Sequence, residues 1–373
     1  MRLEMSSRHT VTLARVSAIA ALLASGVAIT PFATAAQTAT WYISTYTDEM
    51  LVWDEASEEI IDRIKMNRII PDDVFLNESK SLLYVGDASA EHIQIVDVAR
   101  REVIDEISLS HDDVTYRING FAPHPSDEKA VVFVRRHEKL PDRYVVDDPV
   151  ILEYDLRSKQ VLDTIPWPDG EKRDNVGFRY SPDGETLYFY TNDIIAVDAE
   201  TFEEVDRWEI SQPLEPGLGR PTFNTESETY DEPGVATSLF RMRDPVNNRT
   251  LVGIARARLS EKEIDFFTVG PSEPLRGFAL APGGQKAYAL YTTIEAYEFW
   301  EFDLVEERLA RRVPFAGRPR MGIDVSADGT KIYVHVAGNT IDVYDAETFS
   351  LLRTVEFDED MTLGNLAIIP GGE

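Results

Sequence analysis

The 373-residue chain contains no cysteine. That excludes a disulfide framework, a c-type haem attachment, a thiolate-bound zinc or iron–sulfur centre, a thiol nucleophile and a cysteine-linked quinone on this chain. Histidine is nearly as scarce. His9 lies in the opening segment, and His92, His111, His124, His137 and His335 show no metal-ligand spacing. His111-Asp112-Asp113 offers oxygens to a cation, but it reads equally as ordinary loop composition. No glycine-rich phosphate loop runs from a strand into a helix, and no Gly-x-Ser-x-Gly elbow occurs. Cations are outnumbered: 37 Lys and Arg against 66 Asp and Glu leave a net charge of −29. Such a surface repels nucleic acid and anionic lipid and favours a basic partner or a cationic substrate. It serves equally well as a solubility or high-salt device.

Long apolar runs are missing too, apart from residues 16–29, which are too few for a comfortable membrane span. Arg2, Arg8 and Arg15 give this region a positive start, and Ala33-Thr34-Ala35-Ala36 offers small residues for cleavage. Residues 1–36 therefore read as a signal peptide, with an uncleaved anchor as the alternative. The expectation is an exported, periplasmic or secreted protein with no membrane attachment beyond the export signal. Its mature part would be a single domain over residues 37–373, with a net charge of about −31.

What the sequence does have is repetition. Val343-Tyr344-Asp345-Ala346-Glu347 recurs as Ala196-Val197-Asp198-Ala199-Glu200, and more loosely around Asp54, Asp97, Asp155 and Asp303. The spacing is about 43 residues, stretched by an insertion before Asp155, with a double interval before Asp303 that holds a degenerate copy at residues 257–262. A second signature, Ser181-Pro182-Asp183-Gly184, returns as Ala281-Pro282-Gly283-Gly284 and Ser326-Ala327-Asp328-Gly329, and weakly at residues 124–127 and 77–80. A glycine precedes it at Gly120, Gly177, Gly277 and Gly322. Units of this length with four short alternating strands are propeller blades, because one such sheet cannot bury both its faces alone. The pattern predicts an all-β, seven-bladed β-propeller of four-stranded blades. The C-terminal strand is expected to complete the N-terminal blade and close the ring.

The repeated aspartates suit turns, where the carboxylate accepts a nearby backbone N–H, better than a catalytic constellation. No catalytic or metal residue is assigned. Insertions are expected at residues 136–144 and 212–233, both as loops on one face of the ring. On that face the residues before the inner-strand glycines would surround the channel mouth. Arg117, Asn119, Asp174, Asn175, Arg276, Arg320 and Asn365 are the candidate ligand- or partner-binding residues there. They suit a carboxylate or a partner side chain, and solvated strand ends explain them as well.

Ala287-Tyr288-Ala289-Leu290-Tyr291, Tyr297-Glu298-Phe299-Trp300-Glu301-Phe302-Asp303-Leu304, Val325-Ser326-Ala327-Asp328-Gly329 and Val343-Tyr344-Asp345-Ala346-Glu347-Thr348 carry a family resemblance. Through them the chain resembles the propeller (beta) subunit of quinohaemoprotein amine dehydrogenases. More distantly it resembles the methylamine dehydrogenase heavy chain, within the wider group of exported YVTN-type propellers. The likeness extends over roughly residues 40–373. It implies a non-catalytic scaffold that binds no cofactor itself. The quinone cofactor would lie on a small partner subunit, and haem c on a c-type cytochrome partner. Two other classes stay open: a stand-alone lactonase-like hydrolase on the same scaffold, and a cell-surface interaction protein.

Overall fold

Met50-Leu51-Val52-Trp53 illustrates how this molecule is built. All four side chains are buried, so both faces of the strand are covered, and that requires a neighbouring sheet on each side. The computed structural model describes residues 38–212, 218–223, 227–318 and 321–371, without the side chains of 363–365. The expected export segment, residues 1–36, lies outside the described residues. Among the described residues there are strands and turns and no helix.

The chain opens with β1 (Ala39–Thr45), β2 (Glu49–Asp54) and β3 (Glu59–Lys65). A four-stranded sheet follows, made of β4 (Pro71–Leu76), β5 (Leu82–Asp87), β6 (Ile93–Asp97) and β7 (Glu102–Ile107). The next contains β8 (Val114–Pro123), β9 (Lys129–Lys139), β11 (Val150–Asp155) and β12 (Gln160–Ile165), with a short fifth strand, β10 (Tyr144–Val146), between β9 and β11 in the chain. Then come β13 (Gly177–Tyr180), β14 (Thr186–Tyr190), β15 (Ile194–Asp198) and β16 (Glu204–Trp208). Another sheet is β17 (Pro221–Phe223), β18 (Val235–Asp244), β19 (Arg249–Arg258) and β20 (Glu263–Pro271). The fifth is β21 (Leu275–Leu280), β22 (Lys286–Thr292), β23 (Tyr297–Asp303) and β24 (Arg308–Phe315). The chain finishes with β25 (Met321–Val325), β26 (Lys331–Val336), β27 (Gly338–Asp345) and β28 (Leu351–Pro370).

Five of these sheets are antiparallel propeller blades with four strands in chain order. The remaining strands form one seven-stranded sheet in the order β25-β26-β27-β28-β1-β2-β3, where the repeat had predicted two separate blades. The reason is the length of β28. Its first part pairs with β27 (Tyr344 with Leu351, Ile341 with Val355), and its last part pairs with β1 (Trp41 with Ile368, Ala39 with Pro370).

The core lies between sheets. Tyr84 and Ile95 pack on Phe121, Val132 and Leu152 of the following sheet, and Phe133 and Ile151 on Leu187, Phe189 and Ile195 of the one after. Tyr288 and Phe299 meet Ile323, Val334 and Tyr344 in the same way. Trp41, Trp53 and Tyr333 form edge-to-face contacts with ring centres 4.9–5.7 Å apart, a favoured geometry for buried aromatics. Burial fades outward. The fourth strand β12 is exposed along nearly its whole length, whereas the second strands carry buried apolar stretches, such as Ala130, Val131, Val132, Phe133 and Val134 of β9 and Leu187, Tyr188 and Phe189 of β14.

Both expected insertions differ from simple loops. Residues 136–144 belong largely to a hairpin: β9 is extended, and Tyr144, Val145 and Val146 pair with Lys139, Glu138 and His137. Residues 212–233 include the strand β17, which pairs Phe223 with Phe240; residues 213–217 and 224–226 lie outside the described residues. The β17–β18 connection leaves its sheet at the end opposite to the β9–β10 hairpin, because successive connections in an antiparallel sheet alternate ends. The two insertions therefore do not lie wholly on one face, as the loop reading had assumed.

Candidate functional site: first-strand arginines at the blade ends

The repeated aspartates hold turns. Ser57 donates both its N–H (2.8 Å) and its hydroxyl to Asp54. Arg100 N–H donates to Asp97 at 2.8 Å, Ser158 N–H to Asp155 at 2.5 Å, and Glu306 N–H to Asp303 at 3.0 Å. Asp198 and Asp345 each accept the N–H and hydroxyl of Thr201 and Thr348. These bonds stabilise the charged form. The Ser57 hydroxyl and N–H hold the Asp54 carboxyl below the usual carboxylate range, and backbone N–H bonds do the same for Asp155, Asp198 and Asp345. In the second signature, Ser181 donates to Asp183 and Ser326 to Asp328, at 2.5 and 2.6 Å. Each set of carboxylates is thus engaged within its own hairpin.

The residue after each turn aspartate bonds back to the start of its sheet's second strand and is apolar: Val98, Leu156, Ala199, Leu304 and Ala346. The exception is Glu55, which is buried. Its carboxylate accepts Ala39 N–H at 2.8 Å, Ala327 N–H at 3.2 Å and the Tyr333 hydroxyl at 3.1 Å. Burial raises its pKa, against the opposing pull of those bonds. The break in an apolar column was visible in the sequence and marks the join of the first and last strands.

The structure places the sequence-predicted residues in two groups. Arg117 and Asn119 are exposed on β8 on either side of buried Ile118. Arg117 lies opposite Arg135 in register, and Arg135 forms an ion pair with Asp174 in the segment leading to β13. Asp174 and Asn175 are exposed, so these four residues surround the step between two neighbouring blades. Arg276 is exposed on β21 beside buried Leu275 and has no hydrogen-bond or ion-pair partner among the described residues. Gly277 follows at φ 59°, and a Cβ there would come within 3.0 Å of Ile323 Cγ2. The glycine thus lets β21 lie against β25. Among the described residues no hydrogen bond or ion pair links the Arg117 group to Arg276. Arg320 lies outside the described residues, as does the side chain of Asn365.

Sequence reading missed two arginines next to Arg276. Arg241, exposed on β18, donates Nη2 to the carbonyl of Leu275 at 3.3 Å. Arg318, exposed just before β25, donates Nη2 to Thr340 Oγ1 at 2.8 Å. Only the packing of one sheet on the next reveals the proximity of Arg241 to β21, and only the sheet's strand order that of Arg318 to Thr340. Also unforeseen are Tyr230, whose hydroxyl donates to Val325 O at 3.0 Å past the intervening sheet, and buried His335, whose Nε2 lies 2.9 Å from Asp324 Oδ2. No group of three or more His, Asp or Glu side chains suited to hold a metal ion occurs among the described residues.

No protein family and no curated protein matches the chain by sequence. Solved structures match it in shape. Apo AztD from Citrobacter koseri aligns with a TM-score of 0.56 at 13% identity, covering 90% of this chain and 99% of that one. A protein of unknown function from Desulfotomaculum acetoxidans aligns at 0.53 and 16% identity, covering 88% and 98%. The dihydro-heme d1 dehydrogenase NirN, in complex with DHE, aligns at 0.50 and 13%, covering 88% and 75%. These neighbours are β-propellers, and this chain shares that fold. At such identities the likeness extends to the fold alone.

Proposed function

We propose that the chain closes as a seven-bladed ring and acts, after export, as a non-catalytic scaffold subunit of an amine-dehydrogenase-like periplasmic electron-transfer complex. It would hold a small quinone-bearing subunit, a c-type cytochrome, or both. The closure reading draws on β28, whose two ends pair with β27 and β1, so that the seven-stranded sheet divides into two sets of four sharing one strand. The scaffold reading rests chiefly on how the repeated carboxylates are used: each turn aspartate is consumed in capping its own hairpin. The resemblance of residues 287–348 to amine dehydrogenase propeller subunits supplies the particular complex. With no cysteine, the chain can form neither a haem thioether nor a cysteine-linked quinone. The acidic surface suits a basic cytochrome or cationic amines.

The test is turnover by the purified mature chain alone. With primary amines and an artificial electron acceptor it is expected to show no reduction above the buffer rate, and a lactone panel is expected to show no hydrolysis. Amine-dependent reduction or lactone turnover that follows the purified chain would contradict the scaffold reading.

A further inference from the structure

Most of the described lysines and arginines of this acidic chain have a carboxylate partner, on second strands (Lys129, Lys286, Lys331) as on fourth strands, and Arg117, Arg243 and Arg256 are among those without one. Arginines on the fourth strands have carboxylate partners: Arg63 with Asp358, Arg207 with Glu204, Arg311 with Glu301, Arg312 with Glu298 and Arg353 with Glu58. Arg241, Arg276 and Arg318 have none among the described residues. They stand on β18, on β21 and just before β25, which belong to three successive sheets. All three are exposed at the same end of those sheets. Hydrogen bonds tie two of them to the blade edges: Arg241 is anchored on the backbone of Leu275, the residue before Arg276, and Arg318 on Thr340. Each anchor uses one N–H, and a guanidinium has five in a fixed fork. Of the acids near them, Glu298 pairs with Arg312, Glu273 also acts on Arg312, and Asp342, which lines a pocket with Arg318, accepts the Thr354 hydroxyl. With 66 acidic residues in the chain, three arginines without an ion-pair partner on successive sheets stand apart from the paired majority.

We infer that Arg241, Arg276 and Arg318 form a binding site for a small polycarboxylate, an anion with two or more carboxylate groups on one carbon skeleton. Arginine forks receive planar carboxylates in bidentate fashion, and several forks in an arc favour a ligand that presents several such groups. A single compact anion engages one fork and gains little at an exposed site. The acidic remainder of the molecule repels anions non-specifically, so retention of a polyanion has to come from this arc. The inference is independent of the scaffold reading: the site is occupied or empty whether or not a redox partner exists.

The test is a titration of the purified mature chain with tricarballylate at roughly 10 mM ionic strength, where surface charges are least screened. Calorimetry and thermal shift provide the readouts, and acetate and inorganic phosphate are the comparison ligands. Tricarballylate is expected to bind at least tenfold more tightly than either. Arg276→Gln and Arg241→Gln are each expected to weaken it by about tenfold, the scale of a lost charge-assisted hydrogen-bond set. Arg157→Gln, on a distant exposed turn, is expected to leave it unchanged. Unliganded melting curves that match the wild type show that the arginine variants are folded. Absence of tricarballylate binding, equal binding of acetate or phosphate, or binding that survives both arginine substitutions would overturn the inference.

Discussion

Glu55 occupies a position that is apolar in the other five clear turns, and its surroundings make its effect on stability calculable in sign. Three donors converge on a carboxylate removed from water, and burial drives its pKa upward. A raised carboxyl pKa contributes stability that is greatest below the ordinary value, about 4.3, and shrinks as the pH rises through the raised value. The turn aspartates act in the opposite sense. Asp244, held at about 2 by the Asn247 side chain and then by Arg249, contributes stability that is present above the ordinary carboxylate range and fades as the pH falls towards that value. Glu55→Gln replaces one acceptor oxygen with a donor facing other donors, and is expected to cost about 1–3 kcal/mol. The wild-type advantage in urea midpoint is expected to narrow from pH 4 towards pH 8. A gap that is constant over that range would contradict this account of Glu55. Gly322 gives a steric prediction. A Cβ there would come within 2.3 Å of the His335 ring, so Gly322→Ala is expected to lower stability by ~1–3 kcal/mol through overpacking, read from the same urea curves. An unchanged midpoint would mean that the ring has room to move.

The strands and turns were legible because their signals are local. Asp345-Ala346-Glu347-Thr348 carries its own capping chemistry, and Ser181-Pro182-Asp183-Gly184 its own tight turn, so each element could be placed without knowing its neighbours. The extended β9–β10 hairpin was recognisable as an insertion but not as paired strand, since the pairing depends on β9 continuing beyond its blade. The short strand β17 was hidden for the same reason: Pro-rich surroundings read as loop, and only its register with β18 gives it structure. The double role of β28 is the element on which the architecture depends most. Ending the chain at Asp360 would strip β1 of Leu366, Ala367, Ile368, Ile369 and Pro370, its partners along most of its length. The truncated chain is expected to lose its single cooperative unfolding transition and to aggregate through the bared strand edge. A cooperative melt close to that of the full chain would show that β1 is held by packing alone.

Across the whole molecule the fold was readable and the site only partly so. Arg117, Arg276, Asp174 and their neighbours could be found because they precede repeated glycines. Arg241 could not, because its anchor, Leu275 O, is reached only through the packing of one sheet on the next, and Arg318 could not, because its anchor, Thr340 Oγ1, lies two strands away across its own sheet. Charge is the other property of the whole. A net charge of −29, or about −31 after the expected cleavage, drives the compact state apart, and added salt screens that repulsion. Melting temperature is therefore expected to rise between low salt and about 1 M sodium chloride; a fall would mean that the surface ion pairs outweigh the repulsion.

The scaffold reading is tested most directly by isolating the tagged mature chain from the periplasm of its native cells under gentle conditions and recording the absorbance spectrum of what stays with it. The account predicts a stoichiometric companion that shows quinone absorbance, c-type haem bands, or both, and amine-dependent bleaching or reduction of those bands. A colourless chain recovered alone, at native abundance and low salt, would contradict it.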